Sequence, residues 1–240
     1  MKLSIIVPCY NESRNIPLIL EKFKKVIKRE DVEVLLVNNG STDDSKITFE
    51  KLLPKYPFAR IINIDKNEGY GYGITCGLSN SKSEFIGYTH ADMQTDPADT
   101  IKAFEIIENQ SNPKVCYVKG VRKNRPFFDQ FFSIGMSLFE TIYLNTKLWD
   151  INAQPNIFHR NFFQSIKDSC PKDFSLDLCF LYIAKKKKLN VIRFDVIFPK
   201  RLHGKSSWNN SLGEKWKFIK RTLKFSVKLK KKNFDGIYSS

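Results

Sequence analysis

Short β-branched runs that stop in polar loops alternate with helix-periodic segments along the first half of the chain, and few folds accommodate that order. Leu3–Val7 and Val32–Val37 read as buried strands. Between them Ile16, Ile19, Leu20, Phe23, Val26 and Ile27 recur at helical spacing, with lysines on the opposite face. Thr42-Asp43-Asp44 predicts a helix start, Arg60–Ile64 a third strand, and Gly73 to Ser79 a helix. Glu84–Tyr88 predicts a fourth strand. Pro97 suits a helix N-terminus leading to Phe104, Ile106 and Ile107, and Val115–Val118 is a fifth strand. Strands and helices alternating at these lengths imply an α/β fold, a mostly parallel central sheet flanked by helices on both faces. The 240 residues, 42% of them hydrophobic, fit one large α/β domain or two small ones.

After residue 120 the character changes. Phe127, Phe128, Phe131, Phe132, Phe139, Ile142 and Tyr143 fall near helical spacing, Asp173–Ala184 reads as a helix, and Val191–Phe198 as a late strand. Lys215 to Lys232 is lysine-rich, and there Leu212, Trp216, Ile219, Leu223 and Val227 share one helical stripe. Such a basic amphipathic helix suits an anionic membrane interface; docking of the helix on its own domain is the plainer alternative. The division expected is residues 1–211 as one domain, in halves 1–120 and 121–211, and 212–240 as a basic amphipathic tail.

A net charge of +15 favours anionic partners. Nucleic acid is the weakest of these, because neither a helix-turn-helix nor an aromatic platform accompanies the charge. The five cysteines are odd in number and widely spaced, which reads as reduced thiols of a cytosolic protein. Leu3–Val7 is too short for a signal-peptide core, and no run reaches the roughly 20 apolar residues of a membrane span. The expectation is a cytoplasmic protein, peripheral on the cytoplasmic face of a membrane.

In open α/β sheets ligands sit beyond the carboxyl ends of the strands. Four loops fall there: Pro8-Cys9-Tyr10-Asn11-Glu12, Asn38-Asn39-Gly40-Ser41-Thr42-Asp43, Asn67-Glu68-Gly69-Tyr70-Gly71-Tyr72-Gly73 and His90-Ala91-Asp92-Met93-Gln94. Asp92 and Gln94 offer two hard oxygen donors, which suits Mg²⁺ or Mn²⁺ completing its shell with substrate phosphates. Capping a turn or helix is the alternative role for Asp92. The glycines of the third loop miss the dinucleotide spacing and serve close backbone approach instead. No G-x-x-x-x-G-K-[ST] occurs, which disfavours a P-loop ATPase.

Together these loops resemble the family 2 glycosyltransferases with the GT-A (Rossmann-like) fold, and within them the dolichol-phosphate mannose synthase-like branch. The resemblance runs from about Leu3 to Ser207. It implies that Pro8, Tyr10, Glu12, Val37, Asn39 and Asn67 hold the donor nucleotide. It sets His90, Ala91 and Asp92 on the family's Asp-x-Asp signature, with the metal on Asp92 and Gln94. Arg122 matches an arginine near donor and acceptor phosphates, and Ser133 and Ser206 join it on the acceptor side. Arg201, with Gly204 and Ser206, matches a late element that closes over the phosphates. Asp177 matches an acidic position and is a candidate base.

Departures from the pattern carry information. His90 replaces the first acid of the signature, and a turn or ribose contact suits it better than metal ligation. Asn39 replaces an acid that meets the base; an amide can accept from N3–H of uracil and donate to its carbonyl, so a uridine donor is favoured over guanosine. Ser207 replaces a lysine, with Lys205 near. Asp129 stands four residues before Ser133 where an arginine is expected, which weakens a polyprenyl-phosphate acceptor site. His159 and His203 read as structural, and Arg122 and Arg201 in isolation read as solvated charges. The reaction implied is inverting sugar transfer from a nucleotide-diphosphate sugar to a polyprenyl phosphate or another cell-surface glycan or lipid, or to a sugar hydroxyl. A nucleotidyltransferase is the competing enzyme class, told apart by pyrophosphate release.

Overall fold

The computed structural model describes residues 1–124, 127–199, 212–232 and 234. The chain runs through β1 (Leu3–Cys9), α1 (Ile16–Val26), β2 (Val32–Asn39), α2 (Ser45–Leu52), β3 (Ala59–Ile64), α3 (Tyr70–Asn80), β4 (Phe85–Tyr88) and α4 (Pro97–Glu108). It continues through β5 (Cys116–Lys123), α5 (Phe127–Tyr143), β6 (Asn156–His159), α6 (Arg160–Gln164), α7 (Leu176–Lys186), β7 (Asn190–Ile197) and α8 (Leu212–Lys231). The seven strands lie in the order β3-β2-β1-β4-β6-β5-β7. β3, β2, β1 and β4 are parallel neighbours, as are β5 and β7, while β6 runs antiparallel between β4 and β5. From β1 the chain first builds outward to β3, then crosses back to add β4 on the other side. That reversal opens a crevice at the carboxyl ends of β1 and β4, the usual ligand position in such sheets.

Side chains alternate across the sheet with period two. Leu3, Ile5, Val7 and Cys9 pack with Ile19 and Phe23 of α1 and Phe104 and Ile107 of α4. Ile6, Leu35 and Val37 pack on the other face with Ile74 and Leu78 of α3 and Phe180 and Ile183 of α7. At Gly77 a Cβ would lie 2.5 Å from Ile6 Cγ2, so α3 sits closer to the sheet than any larger residue permits.

The short β6 is not foreshadowed by the residue pattern. Its four residues carry one β-branched side chain between polar ends. The helix predicted from Gly73 starts at Tyr70, and the one predicted from Asp173 starts at Leu176. All five cysteines are free, and no helix among the described residues is long and apolar enough to cross a membrane.

Helix α8 lies against the body with an unexpected face. Thr222, Ser226 and Leu229 are buried, whereas Trp216 and Val227 of the predicted apolar stripe are 66% and 43% exposed. Hydrogen bonding explains the inversion: Ser226 Oγ donates to Glu140 Oε1 of α5 at 2.8 Å. Lys230 lies over the Tyr143 ring and Arg221 pairs with Asp173. Glu140 is fully buried, and burial pushes its carboxyl up to about 7, opposed by the Ser226 bond. The folded form therefore keeps a proton that the unfolded chain releases near pH ~4.3. Stability should fall as pH rises from there through about 7. Glu140→Gln is expected to flatten that slope and to raise the melting temperature at pH 8, read by thermal denaturation across pH 5 to 8.

Candidate functional site

The first two loops are bonded into one surface. Asn11 adopts φ 56°, a left-handed conformation asparagine tolerates. Its Oδ1 accepts from the Thr42 amide at 2.8 Å, and its own amide donates to Ser41 Oγ at 3.1 Å. The Glu12 amide donates to Ser45 Oγ and the Ser13 amide to Asp43 Oδ2, at 3.1 and 3.2 Å. Pro8 sits in register with Val37, so the ends of β1 and β2 are level. Tyr10 stands 46% exposed at this rim.

The third loop closes on Asn39. Its Nδ2 donates to the Gly69 carbonyl at 2.9 Å and to Asn67 Oδ1 at 3.4 Å. Its Oδ1 is buried with no donor among the described residues. Gly69 has φ 115°, and at Gly71 a Cβ would meet the Pro171 carbonyl oxygen at 2.4 Å. The segment from Pro171 to Phe174 thus lies directly on the start of α3, where the Tyr72 amide donates to the Lys172 carbonyl at 3.1 Å.

The fourth loop, after β4, carries the two oxygen donors. Thr89 Oγ1 bonds Thr95 Oγ1 across its base at 2.9 Å. Asp92 is 5% exposed, and its Oδ1 accepts from the Gln94 amide at 3.1 Å. Met93 between them has φ 63°, strain that the surrounding bonds hold in place. Gln94 Nε2 donates to the Pro199 carbonyl at 3.2 Å, which orients the amide. No cluster of three or more His, Cys, Asp or Glu side chains suited to a metal occurs among the described residues. A carboxylate and an amide oxygen fit a hard divalent cation that draws its remaining oxygens from water and substrate phosphates.

Below these loops lies a buried polar cluster that the motifs did not reveal. Asp177, at the start of α7, is 2% exposed. Its Oδ1 accepts from Tyr88 Oη at 2.8 Å, Gln154 Nε2 at 3.0 Å and Asn156 Nδ2 at 3.4 Å. The same Gln154 Nε2 donates to Tyr70 Oη at 3.1 Å. Lys119, fully buried on β5, donates to the Ala153 carbonyl at 2.6 Å and to Asn156 Oδ1 at 2.7 Å, with its Nζ 3.9 Å from Asp177. Burial pulls its ammonium down to about 7, against the pull of Asp177 upward. Asp177, the candidate base or helix-pairing acid of the sequence, here bonds across β4, β6 and α7. The only sequence signal for this cluster was polar residues interrupting apolar strands.

Arg122 is likewise engaged. Its Nε donates to Asp150 Oδ1 at 2.9 Å, its amide donates to Asp150 Oδ2 at 2.7 Å, and its guanidinium lies 5.3 Å from the Phe198 ring. Ser133 lies on α5. Arg201 and Ser206, with His203, Gly204, Lys205 and Ser207, lie outside the described residues, as does the side chain of Asp129.

The family described as Glycosyl transferase family 2 matches residues 4–167. The chain belongs to that family. A dolichol-phosphate mannosyltransferase of Pyrococcus furiosus is 26% identical over 210 residues, 86% of this chain and 54% of that protein. A dodecaprenyl-phosphate galacturonate synthase of Rhizobium johnstonii is 26% identical over 128 residues, 52% of this chain and 37% of that protein. These relatives put the chain in the dolichol-phosphate mannose synthase-like branch. It spans about half the length, or less, of most curated relatives it matches. Among solved structures, glucosyl-3-phosphoglycerate synthase from Mycobacterium tuberculosis, in complex with Mn²⁺, UDP and glucosyl-3-phosphoglycerate, aligns with a TM-score of 0.71 at 14% identity. It covers 100% of this chain and 81% of its own. The mannosyltransferase PcManGT from Pyrobaculum calidifontis, in complex with GDP-Man and Mn²⁺, aligns at 0.61 and 19%, covering 84% of this chain and 58% of its own. The fold of this family 2 chain is GT-A.

Removing the cation of a buried pair leaves its partner charge uncompensated. Lys119→Met is therefore expected to destabilise the fold by about 3 kcal/mol, measured by urea denaturation.

Proposed function

We propose that this chain carries a metal-dependent, inverting glycosyltransferase that moves a sugar from a nucleotide-diphosphate sugar to a polyprenyl phosphate or a related cell-surface lipid or glycan. What carries the reading is the Asp92–Gln94 oxygen pair after β4, beside β1, with the Tyr70–His90 ring contact joining its loop to the one that holds Asn39. Mg²⁺ or Mn²⁺ on Asp92 and Gln94, when bound, would neutralise charge growing on the leaving diphosphate. Pro8, Tyr10, Glu12, Val37, Asn39, Asn67, His90 and Ala91 would line the donor. Asn39 Nδ2 is already committed to Gly69, so Oδ1 is the atom left to accept a ring N–H of the base. Uracil offers such a group at N3 and guanine at N1, so the uridine preference rests on the replacement of an acid by an amide at this position.

The acceptor reading rests on two features. A phosphate monoester, with a second pKa near ~6, is already mostly dianionic at neutral pH and needs no base. The engagement of Asp177 by three donors supports that assignment, with the chain chiefly holding two substrates in line. Arg122, Ser133, Arg201 and Ser206 would face the acceptor and the departing phosphates. The second feature is the surface. Ile134, Leu138, Phe139 and Ile142 of α5 and Trp216 and Val227 of α8 are exposed. Lys220, Lys224 and Lys228 stand exposed along α8. An apolar surface bordered by lysines suits peripheral attachment to an anionic bilayer.

A thermal-shift screen of nucleotide sugars with Mn²⁺ is expected to raise the melting temperature with UDP-sugars above all. Asp92→Asn should abolish the shift. Transfer should release a nucleoside diphosphate and no pyrophosphate. Asp177→Asn separates the acceptors: turnover with a lipid phosphate should stay within about tenfold, whereas a hydroxyl acceptor relying on that base would lose ~100-fold or more. Replacing Lys220, Lys224 and Lys228 with serine should remove salt-sensitive binding to vesicles containing phosphatidylglycerol, read by co-sedimentation.

A further inference from the structure

We propose that Tyr70 is a positioning residue for the donor site. It holds the His90 imidazole in place through a three-ring stack with Phe174. The inference rests on the donor-site reading above and deepens it, because it assigns how the substituted signature position is made to work.

The geometry is specific. The Tyr70 and Phe174 rings are stacked, with centroids 4.6 Å apart and planes 15° apart. The Tyr70 and His90 rings follow at 6.0 Å and 30°. Both ends of the stack are anchored to different parts of the fold. Phe174 belongs to the segment lying on the start of α3, and the Arg221 guanidinium of α8 sits 5.8 Å from its ring. His90 opens the loop that carries Asp92 and Gln94. Tyr70 itself begins α3, directly after the left-handed Gly69 whose carbonyl holds Asn39. Its hydroxyl accepts from Gln154, which also donates to Asp177. One residue therefore touches the base-facing loop through its neighbour, the metal loop through its ring and the buried cluster through its oxygen.

The chemistry explains the need. A carboxylate at the first signature position would be oriented by charge, through metal or ribose hydroxyls. An imidazole carries no fixed negative charge to be held in that way. An aromatic neighbour supplies orientation by stacking, worth roughly two- to tenfold per pair in an equilibrium. With the ring plane set, an imidazole nitrogen can bond a ribose hydroxyl of the donor. The aromatic pair thus does mechanically what charge would do at an acidic position.

A double-mutant cycle tests this, with UDP and GDP each titrated calorimetrically into the full chain in the presence of Mn²⁺. Tyr70→Leu is expected to weaken binding of the better nucleotide by about three- to tenfold, and His90→Ala by a similar factor. The double variant should lose no more than the worse single one, because each change breaks the same interaction. Tyr70→Phe keeps the ring and should recover binding to within about threefold. Phe174→Leu removes the outer ring; its loss should vanish in the His90→Ala background, which keeps the inference testable should Tyr70→Leu fail to fold. Multiplying losses in either cycle, or unchanged binding by Tyr70→Leu, would overturn the inference while leaving the donor site intact. Failure of the unaltered chain to bind either nucleotide would remove the donor-site reading and this one with it.

Discussion

A parallel sheet forces every strand to deliver its loop to the same edge, and the direction in which the chain grows decides where that edge opens. Here growth from β1 to β3 and the return to β4 split the loops into two banks. The banks then bond internally, Asn11 to Thr42 on one side and Asn39 to Gly69 behind it. Short polar side chains suit this task because they reach backbone groups within one or two residues. The crevice is consequently lined by groups already fixed before any ligand arrives, which lowers the ordering cost of binding.

Beneath that edge the molecule tolerates an arrangement that is costly elsewhere. Asp177 and Lys119 are both withdrawn from water. Desolvating an ion pair costs several kcal/mol, offset only when every remaining lone pair and proton is used. Tyr88, Gln154, Asn156 and the Ala153 carbonyl meet that demand. All of them come from β4, β6 and the turn before β6. The antiparallel strand therefore serves as the carrier of the polar floor on which the loops rest.

Much of this was legible in the residues. β-branched runs and helical periodicity located β1 to β5 and α1, α3 and α4, because burial on both faces leaves a strong hydrophobic signal. Asp92 and Gln94 stood out because an apolar strand breaks there into two hard oxygen donors. β6 left too short a run to register. Asp177 stood out as an acid, but its setting was not legible, because a helix-borne acid has the same sequence signature whether it faces a cleft or a floor; only its partners from distant positions distinguish the two. The face of α8 inverted for a related reason. Hydropathy ranks Thr222 and Ser226 as outward, yet a buried carboxyl group on α5 needs a hydroxyl beside it.

The contact at Gly71 has a consequence for how such a protein diversifies. With the Pro171 carbonyl oxygen 2.4 Å from where a first side-chain carbon would stand, even alanine would wedge two segments apart. Larger side chains are thereby barred from the contact between the start of α3 and the Pro171–Phe174 segment. Room for new side chains lies instead on α5, where residues stand in open space: a methyl group added at Gly135 would meet nothing within 4 Å. A tight wall and an open helix face let substitutions accumulate on one side of the molecule while the other stays fixed.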